Sequence, residues 1–215
     1  MSDYDNSLGP LRHTVAVMEE HRLTPPQPRT DVAADYTATA KALTDVVAGA
    51  GPAEWAARSP CEGWSASDVL THLIVTQRDF FAEHDLALNP LTDSEHPAQR
   101  WDAHVTDAVA VLQDPVVTGR VFDGFFGPTT IGATIQQFYV WDMVVHRWDL
   151  ARAMERDAAL SEQELDRVEA SIPLFGEALY MPGICAAAVH VAQGEPRLVR
   201  VMARLGRDAQ GESES

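Results

Sequence analysis

The sequence is short of positive charge. Its 215 residues carry 16 lysines and arginines against 32 aspartates and glutamates, a formal net charge of −16 at pH 7. That balance argues against nucleic acid and acidic lipid surfaces as partners, which need positive patches, while leaving room for a locally positive pocket that takes a small anion. Cysteine is scarce: Cys61 and Cys185 are the two, far apart in the chain. They form no paired-cysteine zinc motif and read as two unrelated buried thiols, reduced in a cytoplasmic protein, rather than as a disulfide. No apolar run reaches the length of a membrane span. Met1-Ser2-Asp3-Tyr4-Asp5 is acidic where a signal peptide needs positive charge. Internal repeats, heptad arrays and phosphate-binding glycine loops are absent as well.

What is present is 46% hydrophobic residues, enough for one substantial core. They fall mostly at helical spacing. Residues 1–29 read as an N-terminal extension, with one short helix from Leu11 to His21 stopped by Pro25-Pro26-Gln27-Pro28. Residues 30–208 read as one helical domain, and residues 209–215 as a frayed tail. Within the domain, the spacing of Ala33, Tyr36, Ala40, Leu43 and Val47 predicts a helix over 30–50, capped by Asp31. Ser65 and Asp68 form a carboxylate capping box for a helix over 66–84. Trp101, Val105, Ala108 and Leu112 predict a third helix over 98–112, with His84, His96 and His104 solvated. Residues 116–130 read as short extended pieces and an apolar turn, Phe125-Phe126-Gly127-Pro128, crossing one end of a bundle and helping to wall a pocket. A fourth long helix is predicted from Thr129 or Thr130 to Met154. Ser161 and Glu164 start another that Pro173 should break near Ser171, residues 184–193 fit helix or strand, and Leu198–Leu205 closes the domain. The architecture expected is all-α: a four-helix bundle with a long crossover and additional C-terminal helical elements.

The chemistry concentrates in Trp141-Asp142-Met143-Val144-Val145-His146-Arg147-Trp148-Asp149-Leu150-Ala151, which holds no glycine or proline. On a helix, Asp142, His146 and Asp149 fall at i, i+4 and i+7 on one face. Their apolar neighbours imply burial, and a buried charge must be paired or bound to metal. A carboxylate and an imidazole one turn apart hold two corners of a metal site, and the third has to come from another helix. His72, in Asp68-Val69-Leu70-Thr71-His72-Leu73, is the best candidate. Asp149, one turn after His146, would orient that ring or pair with Arg147, Arg152 or Arg156. His190 is a candidate neighbour of the site. Cys61 shows no basic partner that would make it a nucleophile.

Ser59-Pro60-Cys61-Glu62-Gly63-Trp64-Ser65-Ala66-Ser67-Asp68-Val69-Leu70-Thr71-His72-Leu73 and Asp142–Ala153 resemble the mycothiol-dependent maleylpyruvate isomerase family, within the DinB-like superfamily of metal-binding helix bundles. Phe175-Gly176-Glu177-Ala178 and Arg197–Asp208 are similar to an actinobacterial branch of it, and the matches run in order over residues 32–208. The resemblance implies a DinB-like fold and a divalent-metal site, zinc first, in which His72 and His146 match the two histidines and Asp142 an acidic ligand that is often glutamate. It implies a metal that activates a small thiol, mycothiol, against a small electrophilic or anionic substrate, in isomerisation or transfer. Arg78, Arg147 and Arg152 are available to hold substrate carboxylates. The isomerase branch's separate C-terminal domain has no evident counterpart. Three readings stand: a metal- and thiol-dependent enzyme, a non-catalytic metal-binding stress or regulatory protein, and a structural helical protein without metal.

Overall fold

The structure, a computed structural model, describes residues 31–91, 96–181, 184–192 and 194–208. The expected extension over 1–29, its helix and the expected frayed tail lie outside the described residues. Four long helices make the body: α1 (Val32–Val47), α2 (Ala66–Glu83), α3 (Pro97–Leu112) and α4 (Val140–Ala153). Both α1 and α2 pack on α3 and on α4, so the four stand as a square with α4 between the first two. This is a DinB-like four-helix bundle.

Local chemistry sets the starts of these helices. The Asp31 carboxylate accepts from the Ala34 N–H at 3.0 Å. At α2, Ser65 Oγ accepts from the Asp68 N–H at 3.2 Å while Asp68 Oδ2 accepts from the Ser65 N–H at 2.9 Å. Each such cap contributes about 1 kcal/mol. The α1 face of Ala33, Tyr36, Ala40, Leu43 and Val47 is buried, as its spacing predicts. The centre of the bundle is α4, in which Val140, Trp141 and every residue from Met143 to Ala151 are buried. A helix covered on all sides cannot solvate His146, Arg147 or Asp149, so each requires a partner.

In the long crossover from α3 to α4, the extended piece expected at Val121-Phe122 is present, and the one expected at Val116-Val117 is not. Residues Pro115–Thr118 form a helical turn, because Pro115 sits at its first position and the Asp114 side chain accepts from the Val116 N–H at 2.8 Å. A hairpin follows, β1 (Val121–Gly124) antiparallel to β2 (Gly127–Thr130), with Phe125 and Phe126 at its tip. Thr130 then caps a helical turn, Ile131–Thr134, that widens into a π segment, Ile135–Tyr139, before α4. There the Val140 N–H reaches back five residues to the Ile135 carbonyl.

Beyond α4, α5 (Glu162–Phe175) packs on α4, and α6 (Arg197–Arg204) packs on α5. Contrary to expectation, Pro173 does not break α5 near Ser171. It lies in the last turn, where its missing N–H forfeits one helical bond, and the helix runs on to Phe175 before Gly176 turns away at φ 55°. Residues 185–192 are neither helix nor strand; the Val189 N–H ties them to the Ala203 carbonyl at 2.8 Å. Gly206 ends the C-terminal turn at φ 77°, and a Cβ there would stand 2.6 Å from the Ala186 carbonyl oxygen. That close approach carries Arg207 into the body of the molecule. Among the histidines expected in solvent, His96 is exposed, but His104 is fully buried and His84 is half-buried against Phe80 and Phe122. His104 Nε2 and the Tyr36 hydroxyl converge on Gln77 Oε1 at 2.9 and 2.6 Å, and burial lowers the His104 pKa to about 4.

Candidate metal centre

Three donors meet where α2 faces α4. His72 comes from the middle of α2, with Asp142 and His146 one turn apart on α4. His72 Nε2 lies 3.5 Å from Asp142 Oδ2, and His146 Nε2 lies 3.3 Å from Asp142 Oδ1. The Trp64 ring covers both imidazoles, its centroid 5.0 Å from that of His72 and 6.3 Å from that of His146.

The other nitrogen of His146 faces a second group. Nδ1 lies 2.8 Å from Asp149 Oδ2, so Asp149 takes the orienting role open to it rather than pairing with Arg147, Arg152 or Arg156. Those arginines are engaged elsewhere. Arg147 donates to Glu164 at 2.8 Å and Arg156 to Glu54 at 2.5 Å, while Arg152 lies over the Trp148 ring. The partner of Asp149 is Arg207, which donates from Nε to Oδ1 at 3.1 Å and from Nη2 to Oδ2 at 2.8 Å. The Cys61 thiol donates to Asp149 Oδ2 at 3.3 Å and stands 3.9 Å from His146 Nδ1. The expectation that Cys61 lacks such neighbours is therefore corrected. Cys185 also joins the cluster, its sulfur 3.7 Å from Arg207 Nη1, and both cysteines are free thiols.

Two sets of three donors thus lie within 4.8 Å of one another, His72 with Asp142 and His146, and Cys61 with His146 and Asp149. They share the His146 ring. The second set already contains a cation, the Arg207 guanidinium, bound in a two-point grip to the carboxylate a metal would need. Among the described residues, the first has no arginine or lysine among its partners, only the shared His146 ring and His72.

Burial opposes each of these charges, and neighbours decide the outcome. For His146, burial would lower the pKa, but Asp142 and Asp149 outweigh it and raise it to about 10. For Asp149, burial would raise the carboxyl, yet Arg207 and His146 hold it well below the usual carboxylate range. Asp142 is held low against burial by His146 and His72. Burial pushes the Cys185 thiol up, partly offset by Arg207.

The centre opens on a cavity of about 730 Å³, lined by His72, Asp142 and His146 and by several aromatic rings. The hairpin tip, Phe125 and Phe126, walls it, as expected of the crossover. Arg78, Arg147 and Arg152 do not line it, which corrects their candidacy as carboxylate holders, and His190 is exposed outside it. The guanidinium at the cavity is Arg207. Local periodicity could not place it, although it sits in the C-terminal block that carried the family resemblance. Among the described residues no helix is long and apolar enough to cross a membrane.

Fold and centre together define a helix bundle with a metal-competent set of histidine and carboxylate donors. The chain belongs to the mycothiol maleylpyruvate isomerase N-terminal domain family, whose model matches residues 36–151. That span includes Cys61, His72, Asp142, His146 and Asp149 and stops before Cys185 and Arg207. No curated protein and no solved structure gives a significant match.

Proposed function

We propose that the protein binds a divalent metal, zinc first, through His72 Nε2, Asp142 and His146 Nε2, and uses it with a small thiol, mycothiol by family membership, in an isomerisation or an S-transfer. One observation carries this reading: the donor spacings of 3.5 and 3.3 Å. Charge-assisted hydrogen bonds between these groups would close to roughly 2.7–2.9 Å. Tetrahedral sites with bonds near 2.05 Å instead hold their donors about 3.3 Å apart. The spacings are wider than those of tight ion pairs and run one to each oxygen of Asp142, and a set of two imidazole nitrogens and a carboxylate suits zinc with a position left for thiol or substrate.

A bound divalent ion would lower the pKa of a small thiol and supply a thiolate at neutral pH. The chain's own residues prepare the place. Asp149 fixes the His146 ring through Nδ1, which turns Nε2 toward the open set. Arg207 cancels the charge of Asp149, so Asp142 is the carboxylate left to offset a dication, and the centre keeps a net positive charge for a thiolate. Trp64 holds His72 against His146, and the cavity walls limit water. Isomerisation and transfer then differ in the fate of the thiol, which leaves the substrate in one and stays attached in the other. The free thiols Cys61 and Cys185 support a reducing, cytoplasmic setting.

The test is metal content per chain in protein purified without a histidine tag or added metal, for wild type, His72→Ala and His146→Ala. Near-stoichiometric metal in the wild type, lost in both variants, is expected, followed by turnover that requires both thiol and metal. Stoichiometric metal without turnover would leave a non-catalytic metal-binding protein. A folded wild type that neither retains nor rebinds a transition metal would leave a structural helix bundle.

A further inference from the structure

The cavity's charge and its aromatic wall bear on what it admits. Phe126 stacks on Phe138, the planes 2° apart with centroids at 6.1 Å. Phe175 meets Phe138 at 5.4 Å and Trp141 at 5.1 Å. Phe125, 78% exposed, and Phe126, 52% exposed, stand at the hairpin tip over this wall. Two large rings held in water gain if a bound apolar group covers them. The imidazoles of the lining already face carboxylates: His72 Nε2 and His146 Nε2 lie against Asp142, and His146 Nδ1 against Asp149. Among the described residues lining the cavity, Arg207 is the one arginine or lysine, and a guanidinium has five N–H donors. Nε and Nη2 hold the Asp149 carboxylate, Nη1 holds the Leu205 carbonyl at 2.8 Å, and Nη1 and Nη2 also reach the sulfurs of Cys185 and Cys61 at 3.7 and 3.8 Å. Its donors are committed. Glu62 and Asp142 meanwhile place carboxylates on the same lining.

We propose that the substrate of this site is an uncharged aromatic electrophile, its ring held among Phe126, Phe138 and Phe175, rather than a small dicarboxylate. The electrophile's reaction rests on the metal and thiol reading; its binding does not. The cavity size lies within the range that encloses small organic ligands.

The experiment uses 1,3-dinitrobenzene, an uncharged ring without a leaving group, titrated into the full chain by calorimetry and by quenching of tryptophan emission, since Trp64 and Trp141 line the cavity. Maleate is titrated in parallel as the dianion. Wild type, Phe126→Ala and Phe125→Ala/Phe126→Ala are compared, with thermal unfolding and metal content measured on the same samples. The expected result is saturable ring binding in the wild type, weakened about tenfold or more in the double variant at unchanged unfolding temperature, as the loss of ring burial requires. The inference is overturned if maleate binds more tightly than dinitrobenzene, if the ring does not bind, or if both variants bind it like wild type. Ring binding to a chain without metal would sink the metal reading and keep this one. Stoichiometric metal with a preference for maleate would do the reverse.

Discussion

The two nitrogens of His146 look into different surroundings. On the Nδ1 side, Asp149 is fully buried and Arg207 nearly so, and the bonds between the charged groups are 2.8–3.1 Å long. On the Nε2 side, the side chains of His72 and Asp142 keep 26% and 22% of their surface exposed, and the spacings widen to 3.3–3.5 Å. Both sides use a carboxylate against imidazole. The difference is Arg207, which grips the carboxylate of the closed side at two points and, among the described residues, has no counterpart against Asp142. Similar residue types thus form a closed, buried ion pair on one face of a ring and an open, part-exposed donor set on the other.

The largest effect should come from breaking the closed side. Asp149→Ala strands Arg207 as a buried unpaired charge and is expected to cost about 3–5 kcal/mol in urea unfolding with chelator present. Asp142→Ala, measured the same way, should cost less, because His72 and Asp142 keep part of their side chains exposed and Asp149 still faces His146. Equal costs would erase the distinction between the two sides.

Metal affinity should invert that order. In chelator competition, Asp142→Ala is expected to weaken zinc by more than the roughly 10–100-fold typical of losing an orienting partner, and Asp149→Asn to fall within that range. A larger loss for Asp149→Asn would move the metal to the closed side.

Acid titration separates the closed side from the His104 cluster. His104, at about 4 when folded, lies below its unfolded value of about 6.5, so the unfolded chain takes up the proton first. Its contribution is whole above about pH 6.5 and drains away as pH falls to 4, at roughly 1.4 kcal/mol per pH unit. Asp149, held low, contributes fully above its unfolded value of about 3.9 and loses that contribution below it. Urea midpoints against pH for wild type and His104→Gln should therefore differ in slope between pH 6.5 and 4, and a shared slope there would remove His104 as the cause. The smallest effect is Ser65→Ala, which removes the α2 cap for about 1 kcal/mol and should leave zinc affinity alone.

Local information carried most of the bundle into view. The starts of α1, α2 and α5 follow from side chains within four residues, and the Asp142–His146 pair is one helical turn of a single segment. That His72 faces this pair is a matter of packing between α2 and α4; the residues offered it as the best candidate for a ligand from another helix, and the family resemblance strengthened that expectation. Cys61 and Arg207 lay beyond reach for a different reason: they meet Asp149 across 88 and 58 positions of chain, and Arg207 arrives because Gly206 lies against Ala186. His104 was legible in principle. It shares a helical stripe with Trp101 and Ala108, both fully buried, and that spacing argues for an interior histidine with partners.

The π segment before α4 has a consequence for chain length. One extra residue within the turn from Ile135 to Val140 offsets what precedes it by about 100° from the phase of an uninterrupted helix. Phe138 and Tyr139 of this segment line the cavity, and the hairpin bearing Phe125 and Phe126 lies just upstream. Asp142 and His146 lie downstream. Deleting a single residue from the segment would leave every donor in the sequence and turn Phe138 and the hairpin relative to them, while Trp141 and Phe175 stay with α4 and α5. The angle between the hairpin's rings and the donor set is therefore set by a count of residues rather than by the identity of any one.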